Sequence, residues 1–300
     1  MSIRPVKRIV TARPTLEGAG VHLHRAFGFG DTDLTDPFLL FDDFRNERPA
    51  LYEKGFPWHP HRGIETITYV LAGTVEHGDS LGNRGLLGAG DVQWMTAGSG
   101  ILHHEMPTGD KIGRMHGFQL WANLPSSLKM TAPRYQDVKS GDIVELTEDD
   151  GTHIRVIAGR FHGRRGPVDG VEADPSYLDI TVPAGLRKSI PVDTYRNTFA
   201  YIFEGSGDFR YASENLGVLT EHTAGDDDNL IRDFSGNRSL IVFDTGDEVV
   251  VQAGDQGVRF LLVSGAPLRE PVAWHGPIVM NTQAELQSAM RELRDGTFIK

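Results

Sequence analysis

Glycine and proline fall all along this chain and are not pooled in one linker. Thirty-five glycines and sixteen prolines cut it so often that few helices have room to form, and what survives between them is a series of short apolar or alternating runs. Residues 66–71, 90–96, 117–121, 154–158, 178–182, 199–203, 239–244 and 258–264 are runs of this kind, with turn formers nearby. They have the length and flanks of β-strands. One stretch reads differently. Over 282–293, Thr282 stands where a helix cap belongs, Glu285 follows three residues on, and Leu286, Ala289, Met290 and Leu293 recur at the helical period. The expectation is an all-β protein with a short C-terminal helix.

Three hundred residues are about twice the usual domain length, and the sequence echoes itself. Tyr69-Val-Leu-Ala-Gly73 returns as Tyr201-Ile-Phe-Glu-Gly205, and Ala89-Gly90-Asp91 returns as Ala224-Gly225-Asp226. The two echoes are offset by nearly the same distance, which implies one duplicated unit with a small insertion. Two similar all-β domains, dividing between residues 133 and 150, account for both the length and the echo.

Charge and composition exclude several classes of function. Forty-one acidic residues against thirty basic ones give a formal net charge of −11, so a phosphate-tracking surface would have to be a local exception, and direct nucleic-acid binding is not expected. The absence of cysteine removes disulfides, thiolate metal sites and cysteine nucleophiles together. No run approaches the roughly 18 apolar residues of a spanning helix, and the N-terminus lacks the continuous apolar stretch of a secretory signal. The expected setting is cytoplasmic, away from membranes, and two barrels able to cover each other's apolar faces favour a monomer.

Histidine carries the chemistry. His59 and His61 form one group, and His103 and His104 with Glu105 form a second about 40 residues on. In a strand, alternate side chains share a face, so His59 and His61 point one way, His103 and Glu105 another common way, and His104 away from its neighbours. Two such pairs facing each other make a site of three imidazoles and one carboxylate. That donor set suits a divalent first-row metal, Fe(II) first, with zinc and manganese also open, and an octahedral ion held by four protein ligands keeps two positions free. A second His-x-His, His22 and His24, reads as ordinary surface or core, and His222 and His275 stand alone.

These strings have a family likeness. Gly55-Phe-Pro-Trp-His59-Pro-His61-Arg-Gly-Ile-Glu65 resembles the first cupin motif, and Gly90-Asp-Val-Gln-Trp-Met-Thr-Ala-Gly98-Ser-Gly-Ile-Leu-His103-His-Glu105-Met-Pro107 resembles the second motif of the pirin family. Asp36-Pro-Phe-Leu-Leu-Phe-Asp-Asp43, Gly265-Ala-Pro-Leu-Arg-Glu-Pro271 and His275-Gly-Pro-Ile-Val-Met-Asn-Thr282 extend the likeness over nearly the whole chain. The resemblance implies a bicupin: two jelly-roll-like β-barrels packed face to face, residues 1–135 forming an N-terminal barrel with a metal site and 136–300 a barrel without one. The ligands it implies are His59, His61, His103 and Glu105. Glu65 occupies the place of an ordinary cupin's carboxylate, and counted along one strand it shares the face of His59 and His61, so it competes with Glu105. His104 replaces the small residue associated with pirins. Shifting His59, His61 and His103 by the repeat offset lands on Pro191, Asp193 and Ser235, none of them histidine.

Pirin-like proteins with these ligands resemble quercetin 2,3-dioxygenases, which open the central ring of a flavonol with O2 and release carbon monoxide. On that resemblance Glu105 is the base that takes the flavonol hydroxyl proton, and Phe56, Trp58, Trp94, Phe118 and Trp121 are candidates for an aromatic slot, set against simple barrel packing. Arg62 either holds an anionic substrate or pairs with an acidic residue. The family also resembles iron-binding regulators that bind a transcription factor or metabolic enzyme without turnover, a reading that shares every ligand. The run Asp226-Asp227-Asp228 reads as a solvated loop.

Overall fold

In the computed structural model, residues 2–168, 174–210 and 234–300 are described; His222, the second copy of the Ala-Gly-Asp echo and the run of three aspartates lie outside them. The first half contributes β1 (Val6–Thr11), β2 (Arg13–Glu17), β3 (Val21–Phe27), β4 (Phe38–Asp43), β5 (Phe56–His61), β6 (Ile64–Ala72), β7 (Thr74–Asp79), β8 (Arg84–Leu87), β9 (Val92–Thr96), β10 (Ile101–Thr108), β11 (His116–Asn123) and β12 (Arg134–Val138). One sheet runs β12-β9-β6-β11-β4-β3-β2, and a second, β5-β10-β7-β8, faces it to complete the first barrel.

The second half contributes β13 (Val144–Thr147), β14 (His153–Ala158), β15 (Arg160–Phe161), β16 (Arg164–Arg165), β17 (Ser176–Val182), β18 (Arg187–Pro191), β19 (Asn197–Asp208), β20 (Ser235–Gly236), β21 (Ser239–Phe243) and β22 (Glu248–Gly265). Its large sheet runs β1-β21-β19-β22-β17-β14-β13, with β18 on β22 and β20 on β19. The hairpin β23 (Ala273–His275) and β24 (Ile278–Met280) leads into the helix Gln283–Arg294. That helix starts as the sequence requires: the Glu285 amide donates to Thr282 Oγ1 at 3.2 Å, and the Thr282 amide donates back to Glu285 Oε2 at 2.9 Å.

A cut at residue 135 does not separate the two barrels cleanly. β1 pairs with β21, from Val6 opposite Phe243 to Thr11 opposite Ser239, so the first strand of the chain belongs to the second barrel's sheet. In return, the last segment of the chain packs on the first barrel, with Leu102 joining Ala273, Ile278, Met280, Leu286 and Phe298 in one apolar cluster. Each half closes the other.

Strand alternation sorts the side chains into layers. Ile67, Tyr69, Trp94, Phe118 and Leu120 of the first barrel meet Phe199, Tyr201, Phe203, Leu261 and Val263 of the second in one core between the barrels. The intervening residues of the second barrel, Ala200, Ile202, Phe260 and Leu262, turn inward and fill its interior with apolar groups. The matching inward positions of β6 are Thr66, Thr68 and Val70, so the first barrel's interior sets polar groups beside an apolar cluster of Val21, Leu23, Phe44, Val70 and Met115.

The repeated strands also bond across the interface. Tyr69 donates its hydroxyl to Asp179 Oδ2 at 2.8 Å, and Tyr201 donates to Asp43 Oδ2 at the same distance. Arg259 grips Asp179 from its own barrel with 3.0 and 2.7 Å contacts, and Arg45 grips Asp43 with 2.8 and 2.5 Å contacts. Both aspartates are essentially fully buried, and burial raises the pKa of both tyrosines, which stay protonated as donors. A buried acceptor that loses its donor bears the desolvation cost, about 1–3 kcal/mol. Tyr201→Phe is expected to lower the unfolding free energy by that amount in urea denaturation. A change within about 0.5 kcal/mol, the range of surface substitutions, would show that the crossing bond holds nothing.

Candidate metal centre

β5 and β10 lie side by side with His59 opposite His103 and His61 opposite Ile101. This register puts three imidazoles on one face. Their ring centroids are 4.3 Å apart for His59 and His103, 4.8 Å for His59 and His61, and 4.9 Å for His61 and His103, and one ring nitrogen from each lies within 4.8 Å of the others. Among the described residues this is the group of histidine and acidic side chains arranged to hold a metal ion.

The protonation pattern suits that role. His59 Nδ1 lies 2.9 Å from the Pro57 carbonyl, which can only accept, so Nδ1 donates there and Nε2 faces His61 Nε2, 3.0 Å away. Both nitrogens of His103 are buried without a hydrogen-bond partner. Burial, reinforced by the neighbouring imidazoles, holds His61 and His103 well below the usual histidine pKa, and the rings stay neutral. Convergent imidazole nitrogens, those of His103 without any partner, fit a cation that would satisfy them.

Glu105 stands at the edge of the triad, its Oε2 4.0 Å from His103 Nε2. Two neutral donors hold it: Thr68 Oγ1 bonds Oε1 at 3.2 Å, and Gln119 Nε2 lies 3.3 Å from each carboxylate oxygen. The Gln119 amide is itself oriented by Trp121, whose Nε1 donates to Oε1 at 3.4 Å. Trp121 then presents its ring edge-on to His61, with centroids 5.0 Å apart. Thr68 and Gln119 escape a search for metal-ligand spacing because neither is a ligand type. Their signal is a polar residue at an inward position of a barrel strand.

Glu65 faces elsewhere. The chain turns at Arg62 and Gly63, where Gly63 takes a φ of +76°, and passes from one sheet to the other, so the alternation counted from His59 does not carry through. Glu65 lies on the side of Ile67 and Tyr69, and its Oε1 accepts a 2.7 Å bond from Thr96 Oγ1. His104 turns outward and packs on Trp58 at 4.7 Å. Of the other aromatic candidates, Trp94 and Phe118 belong to the core between the barrels, Phe56 lines the barrel interior near Glu105, and Trp58 is exposed. Arg62 pairs with an acidic residue, Glu292.

Comparison with known proteins agrees with this architecture. Residues 20–122 match the pirin family, and residues 177–299 match the pirin C-terminal cupin domain. The chain belongs to the pirin family. A pirin-like protein of Caulobacter vibrioides is 41% identical over 299 residues, covering 99% of this chain and 100% of the relative. Human pirin is 38% identical over 296 residues, covering 98% and 93%. A crystal structure of quercetin 2,3-dioxygenase from Acinetobacter baumannii has a TM-score of 0.84 at 30% identity, with 99% of both chains covered. Among the described residues, no helix of this pirin-family chain is long and apolar enough to cross a membrane.

The turn after His61 contains an unusual charge. Lys129 is almost fully buried, and its Nζ donates to the Gly63 carbonyl at 2.8 Å and Asn123 Oδ1 at 2.5 Å, both neutral acceptors. Burial pushes its pKa down to about 7. The unfolded chain keeps this proton up to about pH 10.4. The cost of burying the charged form is therefore fully present below pH 7 and is relieved as the pH rises toward the unfolded value, by roughly 1.4 kcal/mol for each pH unit between the two. The urea midpoint of the wild type is expected to climb between pH 7 and about 9.5 relative to Lys129→Met. Parallel midpoints for the two proteins across that range would refute it.

Proposed function

We propose that this chain is a metal-dependent dioxygenase of the quercetin 2,3-dioxygenase type, holding one divalent ion, Fe(II) by preference, at His59, His61, His103 and Glu105. The observation that carries this reading is the convergence of three imidazoles, two of them buried, with a carboxylate beside them. The likeness over the full chain to a quercetin 2,3-dioxygenase structure supports the substrate class.

When bound, Fe(II) supplies a Lewis-acidic, redox-active centre on which four protein ligands leave positions open. The protein's own groups do the rest. Glu105 takes the proton of the flavonol 3-hydroxyl on a carboxylate oxygen, as a general base within hydrogen-bond reach. Thr68 and Gln119 keep that carboxylate aimed, and Trp121 fixes the Gln119 amide and walls the site with an aromatic edge. The cavity that reaches Glu105 from inside the barrel, lined by Val21, Leu23, Phe44, Tyr52, Phe56 and Met115 among others, has a volume of about 20 Å3. That is room for about one water, so this apolar plug excludes bulk solvent, and the flavonol approaches from the half-buried His59 side.

A second reading is a metal-loaded binding protein that turns nothing over: the barrel interior beside Glu105 cannot enclose a small molecule, whose sites usually measure about 300–1,000 Å3, so the enzyme reading depends on the His59 face alone. One experiment separates the two. Protein loaded anaerobically with Fe(II) and then exposed to air is expected to consume quercetin absorbance and release carbon monoxide, with His103→Ala inactive. Wild-type protein shown to hold iron but releasing no carbon monoxide would overturn the enzyme and leave the binding protein.

A further inference from the structure

Arg62 follows ligand His61 directly and is one of the largest fully buried side chains, 2% exposed. Its guanidinium lies 4.1 Å over the ring of Phe298, its Nη2 donates to the Phe298 carbonyl at 2.7 Å, and it pairs with Glu292 Oε2 at 2.9 Å. All these partners come from the last turns of the chain. The backbone is joined there too: the Val279 amide donates to the Arg62 carbonyl at 3.0 Å. A Cβ on Gly63 would lie 1.9 Å from the Val279 carbonyl oxygen, so the two segments touch with no room between them. The Pro277 carbonyl faces the His61 imidazole, the kind of group that orients a ligating histidine. On the other ligand strand, Leu102, next to His103, packs into the same C-terminal cluster.

Charge adds a second reason for this arrangement. A buried guanidinium one residue from His61 would repel an arriving cation, and Glu292 offsets it. Ligand strand and tail are thus bound by packing, by backbone bonds and by a neutralised charge.

We infer that segment 273–299 is part of the metal centre: through Arg62, a positioning residue, the docked tail holds His61 in place to ligate, so metal affinity and tail docking are coupled. The coupling runs both ways, because an effect of docking on metal binding requires an equal effect of metal on docking. This inference rests on the metal-centre reading above, and its test is built to tell the two apart.

The full-length apo protein is titrated with Co(II), read by visible absorption and calorimetry, for the wild type, Phe298→Ala, Glu292→Gln and the exposed helix control Gln287→Ala. Loss of a group supporting a metal ligand typically weakens binding about 10- to 100-fold. Phe298→Ala is expected to raise the dissociation constant by that factor, Glu292→Gln by a smaller one, and Gln287→Ala not at all. In the wild type, Co(II) is expected to slow amide exchange across 283–298. A wild type that takes up no Co(II) overturns the metal centre itself. A wild type that binds, with both variants matching its constant or with tail exchange indifferent to metal, overturns the coupling alone. Should Phe298→Ala fail to fold, Glu292→Gln, which keeps the side-chain shape, decides the matter.

Discussion

Two tyrosines from the strands that carry the sequence echo each donate a hydroxyl hydrogen bond to an aspartate in the other barrel, and each aspartate is gripped by an arginine of its own barrel. Buried carboxylates are tolerated only when fully partnered, so neither barrel is complete without the other. The interface is therefore fixed by polar bonds as well as by its aromatic core, and the large sheets on either side of it are held at a set depth. What faces inward from those sheets follows by alternation.

The inward faces then diverge. In the second barrel, Ala200, Ile202, Phe260 and Leu262 close the interior with apolar contacts. In the first barrel, Thr68 and Gln119 occupy inward positions and meet Glu105. The two containers are similar, and a few inward residues set them apart: one is lined by an apolar cluster, while the other carries Thr68, Gln119 and Glu105 beside the imidazoles. The exchange of terminal segments reinforces this: β1 closes the second barrel, while the tail braces the strand that carries His59 and His61.

Much of this is legible in residues alone. Short runs between glycines locate strands, because a strand needs only local alternation and a turn at each end, and the Thr282 cap with Glu285 fixes the helix start. Parity along a single strand correctly turns His104 away from the triad. The same rule misleads at Glu65, because it holds only within one strand, and the turn at Gly63 begins a second strand in a different sheet. Long-range partners are silent in sequence. Nothing near Arg62 announces that its carboxylate lies 230 residues on at Glu292, or that Val6–Thr11 pairs with Ser239–Phe243. Such contacts depend on how the sheets stack, which no local pattern encodes.

The neutrality of the imidazoles links burial to chemistry. Desolvation keeps His61 and His103 unprotonated, and a ligating imidazole carries no charge, so three such ligands and Glu105 would bring a single negative charge, to which Thr68 and Gln119 add none. With Glu105 as the proposed fourth ligand, a divalent cation there would retain one uncompensated positive charge. In a buried, weakly screened site an uncompensated charge is costly, and a monoanionic oxygen ligand cancels it where a neutral one does not. On the proposed function, that balance would favour a substrate that arrives with, or readily gives up, one acidic hydroxyl proton, and would disfavour dianions, which overshoot neutrality. The flavonol of the proposed function, once deprotonated, meets that requirement by charge, before any contact with the aromatic wall is counted.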